Sequence, residues 1–270
     1  MDIASLQNAA RTVRKTILRT NARAGQGHTG GDLSETDILV TLFLHVLNLP
    51  GRDPQNPDRD RFILSKGHGV CGLYSTLATA GLIDAAWLDD YLTFDSHTPG
   101  HPVRQKTPFV ELNTGALGHG LPVATGLALA AKRQNRSYRV YVLVGDGELQ
   151  EGSNWESAMT AAHYDLDNLT VIVDRNTLQL ADRTESIVGL EPLADKWRAF
   201  GFDLHEARGN DIPDLIRAFE ATRTVAGKPH VILAHTRKGA GVSFIEDRAE
   251  WHHRIPTTEE LERAYAELES

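Results

Sequence analysis

The sequence predicts an α/β fold, a parallel sheet with helices on both faces, and three observations carry that prediction. From Arg139 onward apolar runs alternate with helical patterns: strand 141–144, helix 151–164, strand 169–173, helix 191–200, strand 202–207, helix 211–226, strand 230–235. Such alternation builds parallel strands joined by crossover helices. Tyr141-Val142-Leu143-Val144 and the run from Leu169 to Val173 are rich in β-branched and aromatic residues and carry no exposed face, as strands covered on both sides require. Each then breaks on polar turn residues, Gly145-Asp146-Gly147 in one case and Asp174-Arg175-Asn176 in the other.

The elements before Arg139 follow from periodicity and caps. Residues 5–24 place Leu6, Ala10, Val13, Ile17 and Leu18 on one helical face. Gly25 to Gly31 reads as a glycine-rich loop, and Ser34 with Asp37 three residues on predicts the N-cap of a second helix through Leu47. A polar Pro/Gly/Asp connection covers 48–60. Arg61 to Ser65 reads as a short strand, and Lys66-Gly67-His68-Gly69 opens a helix of small residues. Leu121 to Arg133 is an amphipathic helix, and the residues past 255 read as an exposed acidic helix. Neither a repeat nor a linker divides the chain, so residues 1–270 are expected to form a single domain.

Composition narrows the function. A chain of 270 residues buries a sizeable core, and 41% hydrophobic with 24% charged residues is ordinary for a globular protein. The net charge of −8, without a basic run, argues against nucleic acid as a partner. Cys71, alone, is expected to be a small buried residue. No apolar run reaches membrane-spanning length, and the N-terminus lacks the apolar core of a signal peptide, so a cytoplasmic location is expected.

The strand ends carry the chemistry. Neighbouring parallel strands would bring Asp146 and Asn176 to adjacent carboxyl ends, where open α/β sheets bind ligands. A carboxylate, an amide oxygen and a glycine that admits a phosphate to the backbone suit a magnesium–diphosphate site. A Gly-Asp-Gly after a strand also serves as a plain turn, and the partner asparagine is what favours the site. Among 12 histidines, His28, His68, His101 and His252 stand in Gly-Gln-Gly-His-Thr-Gly-Gly, Ser-Lys-Gly-His-Gly, Thr-Pro-Gly-His-Pro and Trp-His-His-Arg. A lone loop histidine is usually only solvated or hydrogen-bonded. Glycine flanks let backbone crowd a ligand while a titratable ring points at it. No spacing typical of a zinc site is present among these motifs.

Seven segments in order, GQGHTGG, RFILSKGHG, TPGHP, NTGALGHGL, GDGELQEG, DRNTL and HTRKGAGVSFIEDRAEWHHR, resemble the N-terminal half of transketolase, in the form where that half is a separate subunit. The resemblance covers roughly residues 20–255. It implies a thiamine diphosphate-binding fold, thiamine diphosphate and Mg²⁺ as cofactors, and transfer of a two-carbon ketol unit from a ketose phosphate to an aldose phosphate. It also implies a C-terminal, pyrimidine-binding partner subunit in an α2β2 assembly. The family's glutamate that protonates the aminopyrimidine lies in that second domain, so the isolated chain is expected to bind cofactor weakly and to be inactive. Rival readings are an α-type subunit of another thiamine diphosphate enzyme, such as a 2-oxoacid dehydrogenase or a pyruvate-using ketol synthase, or a non-catalytic cofactor-binding relic.

Carried over by position, the resemblance gives Asp146, Asn176 and the Leu178 carbonyl to Mg²⁺. It gives Gly147, His68 and His252 to the diphosphate, and Gly115 and Leu117 to the rest of the cofactor. His28, His101 and His252 face the sugar, and Glu151 matches a glutamate linking paired active sites, although a first-turn carboxylate also gains from the helix dipole alone. The chain departs from its relatives at Thr29, where many long forms have proline, and at His119, where they often have glutamine. His253 replaces a small residue, and Arg175 stands inside a commoner Asp-Asn or Asn-Asn pair, a change expected to matter little because Asn176 is kept.

Overall fold

In the computed structural model, which describes residues 1–269, five strands form one sheet. They are β1 (Arg61–Leu64), β2 (Val140–Gly145), β3 (Leu169–Arg175), β4 (Asp203–Arg208) and β5 (His230–His235), ordered β1-β2-β3-β5-β4 and all parallel. The predicted parallel α/β sheet is borne out, with strands extending one or two residues beyond the expected ends of β2 and β3.

Alternation along each strand divides the core in two. In β2, Tyr141 and Leu143 face one layer while Val140, Val142 and Val144 face the other. The first layer holds α1 (Ile3–Ala24), α2 (Thr29–Ser34), α3 (Thr36–Thr41), α4 (Val70–Thr79) and α9 (Ile212–Ala221), contributing Leu6, Val13, Ile38, Leu73 and Phe219. The second holds α5 (Gly120–Arg133), α6 (Gly152–His163) and α8 (Leu193–Ala199), with Leu121, Ala158 and Trp197 against Val142 and Val171. Between α6 and α8, a short helix α7 (Thr184–Ile187) lies in a segment for which the sequence suggested no element.

The helix α1 runs as its periodicity predicts: Asp2 accepts a hydrogen bond from the Ser5 amide at the N-cap, and Gly25 at φ 69 ends it in the left-handed region. Two expectations are corrected upstream of the sheet. The loop stops at His28, which sits at the N-cap of α2, so Thr29 to Gly31 are helical rather than loop. Ser34 does not cap a following helix; it ends α2, and its hydroxyl donates to Asp174 Oδ2 at 2.6 Å, with the Gly31 carbonyl 2.9 Å away. Asp37 pairs instead with Arg14 on α1 at 2.5 Å, so a tertiary ion pair claims the side chain that looked like half of a cap. The final helix α10 (Thr258–Glu269) is acidic on its outer face as expected, but it is not simply exposed. Ala264 and Leu268 are buried in the first core layer, and the Tyr265 hydroxyl donates to the Lys15 carbonyl of α1. Cys71 is buried and unpaired, as expected.

Candidate functional site

The carboxyl ends of β1, β2 and β3 open on a cavity of about 370 Å³. Parallel pairing sets Gly145 opposite Asp174, so Asp146 and Asn176 leave adjacent strands side by side. The Asp146 carboxylate accepts from the Gly147 amide through Oδ1 at 2.8 Å and from the Thr177 amide through Oδ2 at 2.6 Å. Asn176 Oδ1 accepts from the Leu178 amide at 3.1 Å, and Thr177, at φ 65, turns the chain sharply between the two. A carboxylate from the end of β2, and an amide oxygen and a main-chain carbonyl from the turn after β3, thereby line the same cavity. All three are hard oxygen donors, the set that suits Mg²⁺.

Positive charge lies beside this oxygen set. Lys238 Nζ reaches the Leu178 carbonyl at 3.5 Å and donates to His252 Nδ1 at 2.8 Å. Its pKa falls to about 8 because it is buried near Lys66. Lys66, also lining the cavity, is locked by Asp174 at 2.7 Å and Glu35 at 2.9 Å, and these two carboxylates hold its pKa above the ordinary lysine value despite burial. An anionic diphosphate bound here would meet the Lys238 ammonium beside the oxygen set, and the residues fit the cofactor the resemblance implies.

His28 is the hub of the histidines. Its ring centroid lies 5.2 Å from His68, 6.4 Å from His101, 5.5 Å from His252 and 4.3 Å from His253. Burial holds His28 down to about 4 and His252 to about 3, with Lys238 and neighbouring rings adding to the effect. The same burial lowers His68 well below the usual histidine range. These rings are neutral at physiological pH, and each can donate from one nitrogen and accept at the other. His28, His68 and His252 line the cavity, while His101 sits on its exposed rim and packs over Gly115, where a Cβ would come within 3.0 Å of the ring. Four segments far apart in sequence thus deliver the four predicted histidines to one mouth.

Two glycines make the approach possible. A Cβ at Gly67 would fall 2.8 Å from the Thr114 carbonyl carbon, so the turn carrying His68 can press against the 114–117 strap only without a side chain. Gly118, at φ 79, brings that strap against α6: a Cβ there would meet Glu151 Cβ at 2.5 Å. Gly115, Leu117 and Gly147 line the cavity as expected. Glu151 also lines it, stands at the N-cap of α6 with no capping hydrogen bond and is exposed, so helix capping does not account for its side chain.

Sequence reasoning missed three groups. Lys238 lies in the segment HTRKGAGVSFIEDRAEWHHR, but nothing there marks its ammonium as part of the site. Glu148 is buried and stitches three segments together, accepting from the Gly118 amide at 2.9 Å, the Gly145 amide at 3.0 Å and the Ser65 hydroxyl. Arg175, expected to matter little, is also buried: its guanidinium donates to Asp146 at 3.1 Å, Thr184 at 2.7 Å, Glu185 at 3.0 Å and Glu191 at 2.9 Å. The departure at this position thus sets a buried guanidinium against Asp146, a contact that the motif alone does not indicate. His119 remains exposed, its Nδ1 2.8 Å from the Leu117 carbonyl.

Comparison with known proteins agrees with this geometry. The profile described as "Transketolase, thiamine diphosphate binding domain" matches residues 5–266. The chain is 55% identical over 265 residues to one subunit of the apulose-4-phosphate transketolase of Actinobacillus succinogenes, covering 97% of this chain and 95% of that one. It is 43% identical to the corresponding subunit of the apulose-4-phosphate transketolase of Phocaeicola vulgatus, covering 99% and 95%. The crystal structure of the Campylobacter jejuni transketolase superposes with a TM-score of 0.92 at 31% identity, over all of this chain and 43% of that one. The expected fold, thiamine diphosphate cofactor and transferase class are borne out. The chain belongs to the transketolase family, and its sheet and helices are that family's thiamine diphosphate binding domain.

Proposed function

We propose that this chain is the diphosphate-binding subunit of a split transketolase, one domain over residues 1–270, holding Mg²⁺ through Asp146, Asn176 and the Leu178 carbonyl. The observation that carries the reading is that three-oxygen set at the adjoining ends of β2 and β3, beside the ammonium of Lys238 and beneath the histidines. When bound, thiamine diphosphate supplies the carbon nucleophile that a two-carbon ketol transfer needs. The chain's own residues do the rest of the work on this side of the cleft. Gly147, His68 and His252 donate to the diphosphate, and Gly115 and Leu117 flank the cofactor. His28, His101 and His252 hold donor hydroxyls and exchange protons with them as the carbon–carbon bond breaks. Glu151, exposed at the cavity, links this active site to a second one.

The partner is a pyrimidine-binding subunit that closes the open face of the cavity, in an α2β2 assembly in the cytoplasm. Relatives whose names describe them as single subunits of a transketolase, matching this chain over 95% of their length, support a separate partner chain. Among the described residues no helix is long and apolar enough to cross a membrane. The names of the same relatives support apulose 4-phosphate as a substrate, which this reading takes as the ketol donor. A 2-oxoacid dehydrogenase subunit is disfavoured by the family match, and an inactive relic by the complete oxygen set. Co-purification with the partner, followed by turnover of apulose 4-phosphate against a straight-chain pentulose phosphate, tests the proposal. We expect turnover only with both subunits and faster turnover of apulose 4-phosphate. Robust transfer by this chain alone, or none by the complex on either donor, overturns it.

A further inference from the structure

At the amino-terminal edge of the sheet, opposite the cofactor cavity, three side chains converge that the ketol-transfer reading does not use. Asp203 and His205 alternate onto one face of β4, and His230 of β5 stands opposite Asp203 in the parallel register. They share the face of Ala207, Ile232 and Ala234, against the first helical layer. His205 Nε2 lies 2.7 Å from Asp203 Oδ2, and His230 Nδ1 lies 3.0 Å from the same oxygen. Ligand atoms of all three fall within 4.8 Å of one another.

We infer that Asp203, His205 and His230 form a binding site for a borderline divalent metal ion, Zn²⁺ or Co²⁺. Two imidazoles and one carboxylate are a three-ligand set that leaves a fourth, tetrahedral position to water. Imidazole nitrogen discriminates against Mg²⁺ and Ca²⁺, so the site does not compete for the hard cation of the oxygen set at the other end of the sheet. Ligands about 2.0–2.1 Å from a tetrahedral ion stand roughly 3.3 Å apart, so the pairs now at 2.7 and 3.0 Å must spread, by roughly 0.6 Å for the closer one, to admit an ion. Asp203 also supplies the negative charge that the histidine cluster of the cavity mouth lacks.

Burial is graded toward an entry route. His230 has no exposed side-chain surface, whereas His205 and Asp203 are 17% and 22% exposed, so an ion enters from the β4 side and meets His230 last. The Nε2 atom of His230 has no hydrogen-bond partner, which leaves Nδ1, turned to Asp203, as the ring's polar contact. A bound ion joins edge strand β4 to β5 through side chains in addition to the backbone ladder.

The intact chain, freed of metal with EDTA and titrated with Co²⁺ and then Zn²⁺ at pH 7.5, tests the inference. One equivalent of Co²⁺ should give the intense visible absorption of a tetrahedral site, Zn²⁺ should displace it, and Zn²⁺ should raise the thermal midpoint. His205→Ala, at a partly exposed position, and Asp203→Asn should each weaken binding by at least about 100-fold while circular dichroism stays native. His28, His252 and His253 form the other three-ligand group among the described residues, so His253→Ala is the control. One equivalent that persists in His253→Ala and disappears in His205→Ala supports the site. The reverse pattern, or no binding at micromolar ion by a folded chain, overturns it.

Discussion

Arg175 Nη1 lies 3.1 Å from Asp146 Oδ2, so the carboxylate assigned to the metal already shares an oxygen with a buried guanidinium. The other guanidinium nitrogen reaches Glu185 and Glu191, both about half exposed, and ties the segment after Asn176 back to the end of β3. Arg175→Met should release both ends. Asp146 loses the cation that holds its orientation, and Glu185 and Glu191 turn to solvent. Cofactor affinity in the assembled enzyme should fall by roughly 10–100-fold, the usual cost of losing a group that orients a metal ligand. Amide exchange over residues 184–191 should accelerate. Arg175→Lys, which keeps the charge without the fork, should fall between the two. Unchanged affinity and unchanged exchange in Arg175→Met would show that the arginine is only buried ballast.

Asp146 is the firmer test of the metal itself. In Asp146→Ala the three-oxygen set loses its only charged member, while Arg175 keeps Thr184, Glu185 and Glu191 as partners, so the fold should hold. Calorimetry with Mg²⁺ and thiamine diphosphate on the assembled variant should show affinity reduced by more than about 100-fold, beyond what losing an orienting partner costs. Native circular dichroism with unaltered binding would sink the assignment.

The sheet and the polar strand ends were legible in the sequence because a buried parallel strand is a local pattern: continuous apolar residues, then Gly-Asp-Gly or Asp-Arg-Asn. The three glycine- and proline-flanked histidines, and His252 in Trp-His-His-Arg, were legible for a similar reason, since each motif is short and self-contained. Ser34 and Asp37 were misread because their partners lie on other elements, far away in sequence. The Ser34 hydroxyl bonds to Asp174, and Asp37 is held by Arg14, neither of which periodicity reveals. Lys238 and Glu148 were passed over because ordinary charged residues in a turn look solvated until tertiary structure buries them. The acidic tail was half right: charge marked its outer face, but only the position of α1 shows that Ala264 and Leu268 are covered.

The histidines should divide into two classes. His68 is mostly buried at the floor of the cavity, beside Lys66, while His101 sits on the exposed rim. His68→Ala in the assembled enzyme should weaken cofactor binding by about 1.5–3 kcal/mol, the value of a hydrogen bond to a charged acceptor. His101→Ala should lower kcat/KM for the ketose with little change in cofactor affinity. Equal loss of cofactor affinity in both variants would refute this division.

The last prediction concerns Asp32 and the pH dependence of stability. Asp32 is fully buried on α2, and burial raises its pKa from 3.8 to about 6, although Asn21 and the Gly72 amide donate to it. Below pH 3.8 the carboxyl is protonated in both folded and unfolded chains. Between that pH and about 6 only the folded chain holds the proton, so the stabilisation it contributes is lost as pH rises through the folded pKa. A carboxyl whose pKa moves from 3.8 to about 6 on folding accounts for a loss on the order of 3 kcal/mol. Asp32→Asn removes this titration and keeps an acceptor for Gly72. The Asn21 amide can turn to receive the new donor, because its own Oδ1 is buried without a partner. The thermal midpoint of Asp32→Asn relative to wild type should therefore rise by roughly 6–12 °C between pH 4 and pH 7. A midpoint difference that stays constant across that interval would mean that Asp32 titrates normally and that its burial leaves no trace in stability.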